Sequence, residues 1–153
     1  MAEPSAVTPL EGHLGYWLNY VGSHVGLGFR RKLAGRGVTV AEWVVLRLLL
    51  GRGGEPPSQL AERMGMTRGA VSRLVERLVA KGLVSRAAGG GDRRFQALAL
   101  TPAGEALVPE LAALADRNDA EFFASLSAEE RATVERVLRG LVARLGLKAL
   151  PVD

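Results

Sequence analysis

The most informative segment of the sequence is MTRGAVSRLVERL, residues 66–78, whose apolar side chains recur at the spacing of an amphipathic helix. At 100° per residue, one arc of this helix is wholly apolar. It carries Ala70, Val71, Leu74, Val75 and Leu78. The opposite arc carries Gly69, Ser72 and Arg73, where a helix that only faces solvent usually carries Glu and Lys. Because a glycine costs a helix roughly 1 kcal/mol relative to alanine, this small polar face calls for a reason other than solubility.

The small polar face suits a helix that lies in the major groove of DNA. Gly69 allows close approach to the duplex, Arg73 can reach O6 and N7 of a guanine, and Ser72 can bond to a base edge or a phosphate. Arg68 and the free N–H groups behind the N-cap Thr67 suit the phosphate backbone. The residues of this region that we predict to bind DNA are Ser58, Thr67, Arg68, Gly69, Ser72, Arg73 and Arg77.

A shorter helix precedes this one. The segment SQLAERMG, residues 58–65, predicts a short helix that is capped by Ser58 and ends at Gly65. The longer helix begins after Thr67 and ends before Gly82, which suits the C′ position. Two helices joined by a turn of this length form the helix-turn-helix pattern. A plain helical hairpin within a bundle is the alternative that this segment leaves open.

After Gly82 the period of the sequence changes from helical to two. The segment VSRAAGGGDRRFQALALT, residues 84–101, predicts two strands joined by a Gly-rich turn, so that a hairpin follows the helix-turn-helix, as in a winged helix. Arg93 and Arg94 at the tip suit a narrow A·T-rich minor groove, which attracts arginine. We expect Asp92 to pair with a nearby arginine and to fix the turn. The alternative for this turn is a solvated loop.

The rest of the chain is predicted to be helical. The first helix runs from about residue 10 to 33, and its glycines allow another helix to approach closely. Pro109 should kink or interrupt the helix that follows the hairpin. The predicted N-caps are Thr39 with Glu42, Ser58, Thr67, Thr101 with Pro102, and Ser127 with Glu130. The fold class is mainly α with a small β-hairpin, a winged helix-turn-helix plus a helical dimerisation region.

Two stretches match a known family: TRGAVSRLVERLVAKGLVSR, residues 67–86, and GDRRFQALALTPAGEAL, residues 91–107. The family's wing and next helix are matched by Asp92, Arg94, Leu100, Thr101 and Gly104. On these residues the chain resembles the MarR family of bacterial transcriptional regulators. The resemblance implies a homodimer with a winged helix on each subunit, which binds a pseudo-palindromic operator and usually represses. It also implies that a small aromatic or phenolic ligand, bound between the dimerisation and DNA-binding regions, releases the DNA in many members.

We therefore expect three kinds of region along the chain. Residues 38–101 form the winged helix-turn-helix DNA-binding domain, and residues 10–33 and 102–147 form the helical dimerisation region. Residues 1–9 and 148–153 are expected to be flexible tails. The apolar stripes of the terminal helices support this division, because a chain this small offers them no other partner. The alternative is a monomer whose terminal helices fold onto the winged helix.

The charge distribution points to the same division. Residues 58–100 carry eight Lys or Arg and three acidic residues, whereas residues 101–153 carry six and nine. A basic middle section indicates an anionic partner there, although a solvated surface is the alternative. A two-fold dimer would present its two recognition helices roughly 34 Å apart, one turn of B-DNA, with the acidic section away from the duplex.

The first helix also carries a strip of ring side chains that suits a small aromatic acid. The strip consists of His13, Tyr16, Tyr20 and His24. Trp17 adjoins it, and Trp43 and Arg47, four residues apart on the second helix, are predicted to face it. The predicted ligand-binding residues are His13, Tyr16, Trp17, Tyr20, Trp43 and Arg47. The alternatives are that the strip packs in the dimer interface and that Arg47 bonds to a carboxylate of the protein itself.

Several other functions are excluded by residue content. Without Cys, the chain has no disulfide, thiolate metal site or thiol-based redox switch. His13 and His24, roughly 16 Å apart along one helix, cannot share a metal within one chain. The sequence lacks an H-E-x-x-H motif, a P-loop and a serine nucleophile elbow, so we predict neither an enzyme nor a cofactor. A winged helix used only for protein contacts is the competing function, and it would lack the salt dependence of DNA binding.

Neither the N-terminal segment nor the most apolar segment of the sequence predicts a membrane protein. The start, MAEPSAVTPLEG, has no basic n-region and no apolar h-region of a signal peptide. The densest apolar run, WVVLRLLL at residues 43–50, is short and contains Arg47. We therefore predict a soluble cytoplasmic protein.

Overall fold

A computed structural model describes residues 7–88 and 96–149 of the chain. Within these ranges there are six α-helices and one antiparallel two-stranded sheet. In chain order they are α1 (Leu14–Ala34), α2 (Val40–Leu49), α3 (Pro57–Met64), α4 (Arg68–Ala80), β1 (Val84–Ala88), β2 (Gln96–Leu100), α5 (Pro102–Phe123) and α6 (Ala128–Leu145). This order confirms the predicted fold class. The predictions for the tip of the wing, and for the tails at residues 1–6 and 150–153, lie outside the described residues.

The core lies where α2, α3 and α4 meet the hairpin and the first half of α5. Its members are apolar and at most 5% exposed, and each of these elements contributes at least one fully buried leucine. Among them are Leu46, Leu60, Leu78, Leu98 and Leu111. Because burial of apolar area is the main favourable term in folding, this core fixes the winged helix-turn-helix as one packed unit.

Four of the five predicted N-caps are present. Each predicted hydroxyl accepts a hydrogen bond from the backbone N–H three residues later, over 3.1 to 3.2 Å. The capping residues are Thr39, Thr67, Thr101 and Ser127. Ser58 does not cap α3, so that prediction is wrong: Pro57 occupies the first helical position and Pro56 precedes it. A proline at the first position has the right φ and needs no donor, so the helix starts two residues earlier than a Ser58 cap would place it.

Two further helix boundaries differ from the prediction. A short 3-10 turn, Leu10–Gly12, comes first, and α1 begins only at Leu14 because His13 has an extended backbone with ψ 124°. Pro109 interrupts no turn of α5, which is continuous from Pro102 to Phe123. The proline removes one donor to the carbonyl of Glu105, and since both residues are exposed, water can take its place.

The hairpin is attached to the domain through one additional backbone bridge. β1 pairs with β2 from Val84 opposite Leu100 to Ala88 opposite Gln96. On the other edge of β2, Glu55 and Leu98 exchange two backbone hydrogen bonds of 3.0 and 2.9 Å. The segment before α3 therefore acts as a third short strand, which the sequence pattern did not reveal.

Close packing of α1 on α5 explains one of the glycines of the first helix. A Cβ at Gly28 would lie 2.8 Å from Oδ1 of Asn118 and 2.9 Å from a ring carbon of Phe122. The buried Asn118 side chain donates to the carbonyl of Val25 over 3.1 Å and accepts from Nζ of Lys32 over 3.1 Å. Close approach of a helix was predicted, and at this position the helix is α5 of the same chain.

Helix α6 is packed differently from the others. It has no buried residue in the described part of the chain, and a row of its large apolar side chains is 41 to 65% exposed. The row consists of Val134, Val137, Leu138, Val142 and Leu145. The first turns of α1 also expose large apolar side chains. No helix of the described residues is long and apolar enough to span a bilayer.

Candidate DNA-binding surface

Helix α4 divides into a buried and an exposed side as its sequence predicts. Val71, Leu74, Val75 and Leu78 are at most 3% exposed. The opposite side is exposed along its whole length. It carries Gly69, Ser72, Arg73, Glu76 and Arg77. The apolar arc of α4 therefore packs in the core of the domain, and its small polar arc is exposed.

Gly69 is not required by packing inside the chain. A Cβ built on it meets no atom within 4 Å, and its backbone is helical. The internal structure would therefore accept alanine, which is the better helix former. Packing among the described residues therefore gives no reason for glycine at this position, whereas close approach of a duplex would favour it.

The first turn of α4 offers donors to an anion. Thr67 Oγ1 accepts the hydrogen bond of the Ala70 N–H over 3.2 Å. The N–H groups of Arg68 and Gly69 have no acceptor among the described residues. Free N–H groups at a helix N-terminus bind phosphate well, and the exposed guanidinium of Arg68 adds charge there.

The turn that precedes α4 depends on Gly65. This residue has a left-handed backbone, with φ 62°, and ends α3. A Cβ at Gly65 would clash with the carbonyl oxygen of Ala149, so the segment after α6 runs against this turn. No pattern in the sequence indicated that contact. Ser58, which we predicted to bind DNA, is half-buried in the first turn of α3.

Arg77 lies near the carboxylate of Glu42, which was predicted to complete the capping box with Thr39. Nε of Arg77 lies 3.9 Å from Oε1 of Glu42, and Nζ of Lys81 lies 2.6 Å from Oε2 of the same residue. Glu42 is 1% exposed. Its backbone N–H donates to Thr39 as predicted, but its side chain does not complete the capping box and reaches α4.

The two strands of the wing pair regularly over all their described residues. The strands pair as far as Ala88 opposite Gln96, so residues 89–95 connect them. Asp92, Arg93 and Arg94 fall in that connection, outside the described residues, and their roles stay predictions. Arg86 on β1 is exposed and adds a further cation to the hairpin.

The ring strip on α1 is continuous. The ring centroids of Tyr16 and Tyr20 lie 5.9 Å apart, and those of Tyr20 and His24 lie 5.3 Å apart. Trp17 lies edge-on to Tyr16 at 5.2 Å and donates its indole N–H to the carbonyl of Glu11 over 2.9 Å. A ring nitrogen of His13 lies 3.1 Å from the carbonyl oxygen of Pro9. The structure therefore brings Tyr16, Trp17 and Tyr20 of the predicted ligand-binding residues together, while His13 contacts Pro9.

Trp43 lies elsewhere, and the prediction that it faces the strip is wrong within one chain. It packs edge-on against Phe29, with ring centroids 6.2 Å apart. Phe29 follows Tyr20 by nine residues, about 13 Å along the axis of α1. Trp43 therefore belongs to the packing between α1 and α2, and the exposed Arg47 lies one turn further along α2.

Two open cavities flank the helices predicted to dimerise. One, of about 430 Å³, runs along α1 and reaches Val40, with Arg30 as its cation. It is floored by Asn19, Gly22, Ser23 and Gly26. The other, of about 320 Å³, lies between α5 and α6, where a hydrogen bond from Arg131 to Asp119 raises the pKa of the guanidinium above its ordinary value. Sequence reasoning missed both, although the spacing of Gly22 and Gly26 was a signal for the first.

A short helix, a turn, a second helix with a free polar face and an antiparallel hairpin together define a winged helix-turn-helix protein. A family model described as MarR family matches residues 36–94. A protein of Thauera aromatica assigned as a transcriptional regulatory protein for the hcr operon is 34% identical over 109 residues. This match covers 71% of the chain, and the chain spans 63% of that relative, under two thirds of its length.

Two solved structures extend the likeness beyond the winged helix. CouR from Rhodococcus jostii RHA1, bound to p-coumaroyl-CoA, has a TM-score of 0.78 and 25% identity, over 96% of this chain and all of that one. A mutant of MarR from E. coli, complexed with operator DNA, has a TM-score of 0.76 and 27% identity, over 84% of this chain and 93% of that one. The chain belongs to the MarR family, which consists of transcriptional regulators and not of enzymes.

Proposed function

We propose that this MarR family regulator is a repressor that binds a pseudo-palindromic operator as a homodimer, with α4 of each subunit in the major groove. The observation that carries the proposal is the division of α4, whose apolar side is buried while its glycine, serine and arginine side is free. The DNA-binding domain is residues 38–101, and residues 10–33 and 102–147 form the dimerisation region.

The exposed residues of α4 take different roles on the duplex. Arg73, near the middle of the free side, pairs with the O6 and N7 edge of a guanine, and Ser72 bonds to a base edge or phosphate. Arg68 and the first N–H groups of the helix bind phosphate, as does Arg77. In the wing, Arg93 and Arg94 enter the minor groove, and Asp92 fixes the turn.

The exposed apolar faces of α1 and α6 support the homodimer. Monomeric proteins seldom leave a continuous apolar row uncovered, and the row on α6 has no partner in the described part of the chain. A second copy can cover it and supplies the second recognition helix that a two-fold operator requires. The alternative is that the winged helix binds another protein instead of DNA.

We also propose that a small aromatic anion releases the DNA. Tyr16 and Tyr20 offer ring faces, and a cavity on another face of α1, which neither ring lines, offers the guanidinium of Arg30. Support comes from CouR, which was solved with p-coumaroyl-CoA bound. The alternative remains that these rings pack against the second subunit.

Selection of bound duplexes from a random pool tests the DNA-binding part of the proposal. We expect an inverted repeat whose half-sites are centred about 10 base pairs apart, and an affinity that falls steeply as salt rises. Recovery of no common sequence, or binding that salt does not change, would favour the protein-contact alternative. Repression is tested by placing the selected sequence across a promoter and measuring transcription with and without the protein.

Thermal melting against a panel of aromatic acids tests the ligand. We expect one or more acids to raise the melting temperature and to release the selected duplex. Arg30→Ala should abolish both effects, whereas Arg31→Ala, the loss of the neighbouring exposed cation of α1 that does not line the cavity, should leave them. An unchanged response in Arg30→Ala would remove this cavity from the proposal.

A further inference from the structure

A buried carboxylate lies beneath the C-terminal end of α4. Glu42, in the first turn of α2, is 1% exposed and is contacted by Arg77 of α4 and by Lys81, the residue directly after that helix. Lys81 makes the close contact, 2.6 Å from Nζ to Oε2, while Arg77 stays 3.9 Å away and remains half-exposed. Lys81 is therefore the main partner of Glu42, and Arg77 is free to turn toward a phosphate.

The same ammonium group joins a third part of the chain. Nζ of Lys81 also donates to the carbonyl of Gly37, over 2.7 Å. Gly37 lies in the loop between α1 and α2, where its φ is 69°. One side chain thus ties the end of α4 both to the start of α2 and to the loop that follows α1.

Most other contacts of α4 have no fixed direction. Its buried side is made of Val and Leu, and apolar contacts are non-directional. The directional bonds that join the end of this helix to the rest of the domain include those of Lys81 and those from Thr101 to the carbonyls of Gly82 and Leu83. A charge buried away from its partner is strongly unfavourable, so a placement of α4 that moves Lys81 away from Glu42 is disfavoured.

We propose that Glu42 is a positioning residue for operator recognition. Through Lys81 it fixes the rotation and tilt of α4 so that Ser72 and Arg73 meet base edges in register. The inference rests on the proposed function, since it assigns the geometry with which α4 reads DNA. Neither Glu42 nor Lys81 needs to touch the duplex for this role.

The test removes both charges together. Glu42→Met and Lys81→Met each leave one unpaired charge and should lower the melting temperature, while the double variant keeps the volume and the net charge and should regain most of it. Affinity is then measured for the selected operator and for a scrambled duplex. We expect the operator preference of the double variant to fall about tenfold, the loss typical of one misplaced base contact, with affinity for the scrambled duplex unchanged.

A second buried pair provides the matched control. Glu55 is 3% exposed and bonds to Nη1 of Arg63 over 2.7 and 2.8 Å, but this pair joins only α3 and the segment before it. The double variant Glu55→Met with Arg63→Met also removes one buried pair at constant net charge. Its operator preference should equal that of the unaltered protein.

Three outcomes decide the inference. A wild-type preference in the Glu42 and Lys81 double variant would overturn it and leave the pair a purely structural feature. If that variant does not fold, Glu42→Gln replaces it, since the amide removes the charge but keeps an acceptor for Lys81. The inference then requires a reduced operator preference at a near-normal melting temperature. A full operator preference in Glu42→Gln would overturn it. If the unaltered protein prefers no duplex, the proposed function itself fails, and this inference fails with it.

Discussion

Helices α4 and α6 are both amphipathic, yet among the residues that the structure describes only the apolar face of α4 is covered. The apolar face of α4 lies in the core, and its free side is small, polar and basic. The apolar row of α6 stays exposed, and its ends carry the acidic and basic residues of an ordinary solvated helix. The side chains that a helix leaves exposed indicate its partner. Exposed hydrogen-bond donors and positive charge fit a nucleic acid, whereas exposed Val and Leu fit another protein surface.

The largest effect is expected from a charge on the apolar row of α6. Val142→Glu should dissociate the proposed dimer, because the carboxylate would be buried without a partner. Each free subunit would then bind a single half-site, and loss of the second contact should lower operator affinity by about 100-fold or more. Sedimentation velocity measures the first effect and a gel shift the second.

Ala143→Glu is the control for this change. Ala143 is the next residue, is exposed and lies on the opposite side of α6 from the row, so the same charge should leave dimer and affinity intact. A dimer of normal stability in Val142→Glu would show that α6 does not face the second copy. The exposed apolar row of α6 would then no longer indicate a second copy as its partner.

A smaller effect is expected from the free side of α4. Arg73→Ala should weaken operator binding by about 1–3 kcal/mol and relax the preference at one base pair, because the guanidinium contacts a base edge. Arg136→Ala, the same loss of charge on exposed α6, should leave both unchanged. Selection from a random pool with each variant measures the preference directly. A preference in Arg73→Ala that matches the unaltered protein would mean that another residue reads the base.

The sequence was a reliable guide where a pattern acts locally. The period of residues 66–78 predicted which side of α4 is buried, and Thr67, Thr101 and Ser127 cap helices as predicted because a cap needs only its own first turn. The change of period after Gly82 likewise identified the hairpin. These features depend on neighbours a few residues away, so the sequence contains what determines them.

The sequence was a poor guide where a residue has competing partners. Glu42 had the position of a capping-box acid, but the distant Lys81 offers it a buried ion pair, and that interaction prevails. Trp43 was expected to face the ring strip, but the register of α1 on α2 sets it against Phe29. Such choices depend on how helices dock, which a periodic pattern does not specify.

The smallest effect is expected from one added methyl group, and it should change stability and DNA affinity in opposite directions. Gly69→Ala gains the helix preference of alanine and meets nothing inside the chain, so unfolding should require up to about 1 kcal/mol more. On the duplex the same methyl group narrows the approach of α4 to the bases, and operator affinity should fall severalfold. A thermal melt and a gel shift on one preparation separate the two effects.

Gly15→Ala is a closely matched control, since Gly15 is the second residue of α1 as Gly69 is the second residue of α4, and it too has open space around its Cβ. It should raise stability by a similar amount and leave DNA affinity unchanged. A gain of stability in Gly69→Ala without any loss of affinity would mean that α4 does not approach the duplex closely at its first turn. The glycine would then be without a function, and the free side of α4 would recognise DNA through Ser72 and Arg73 alone.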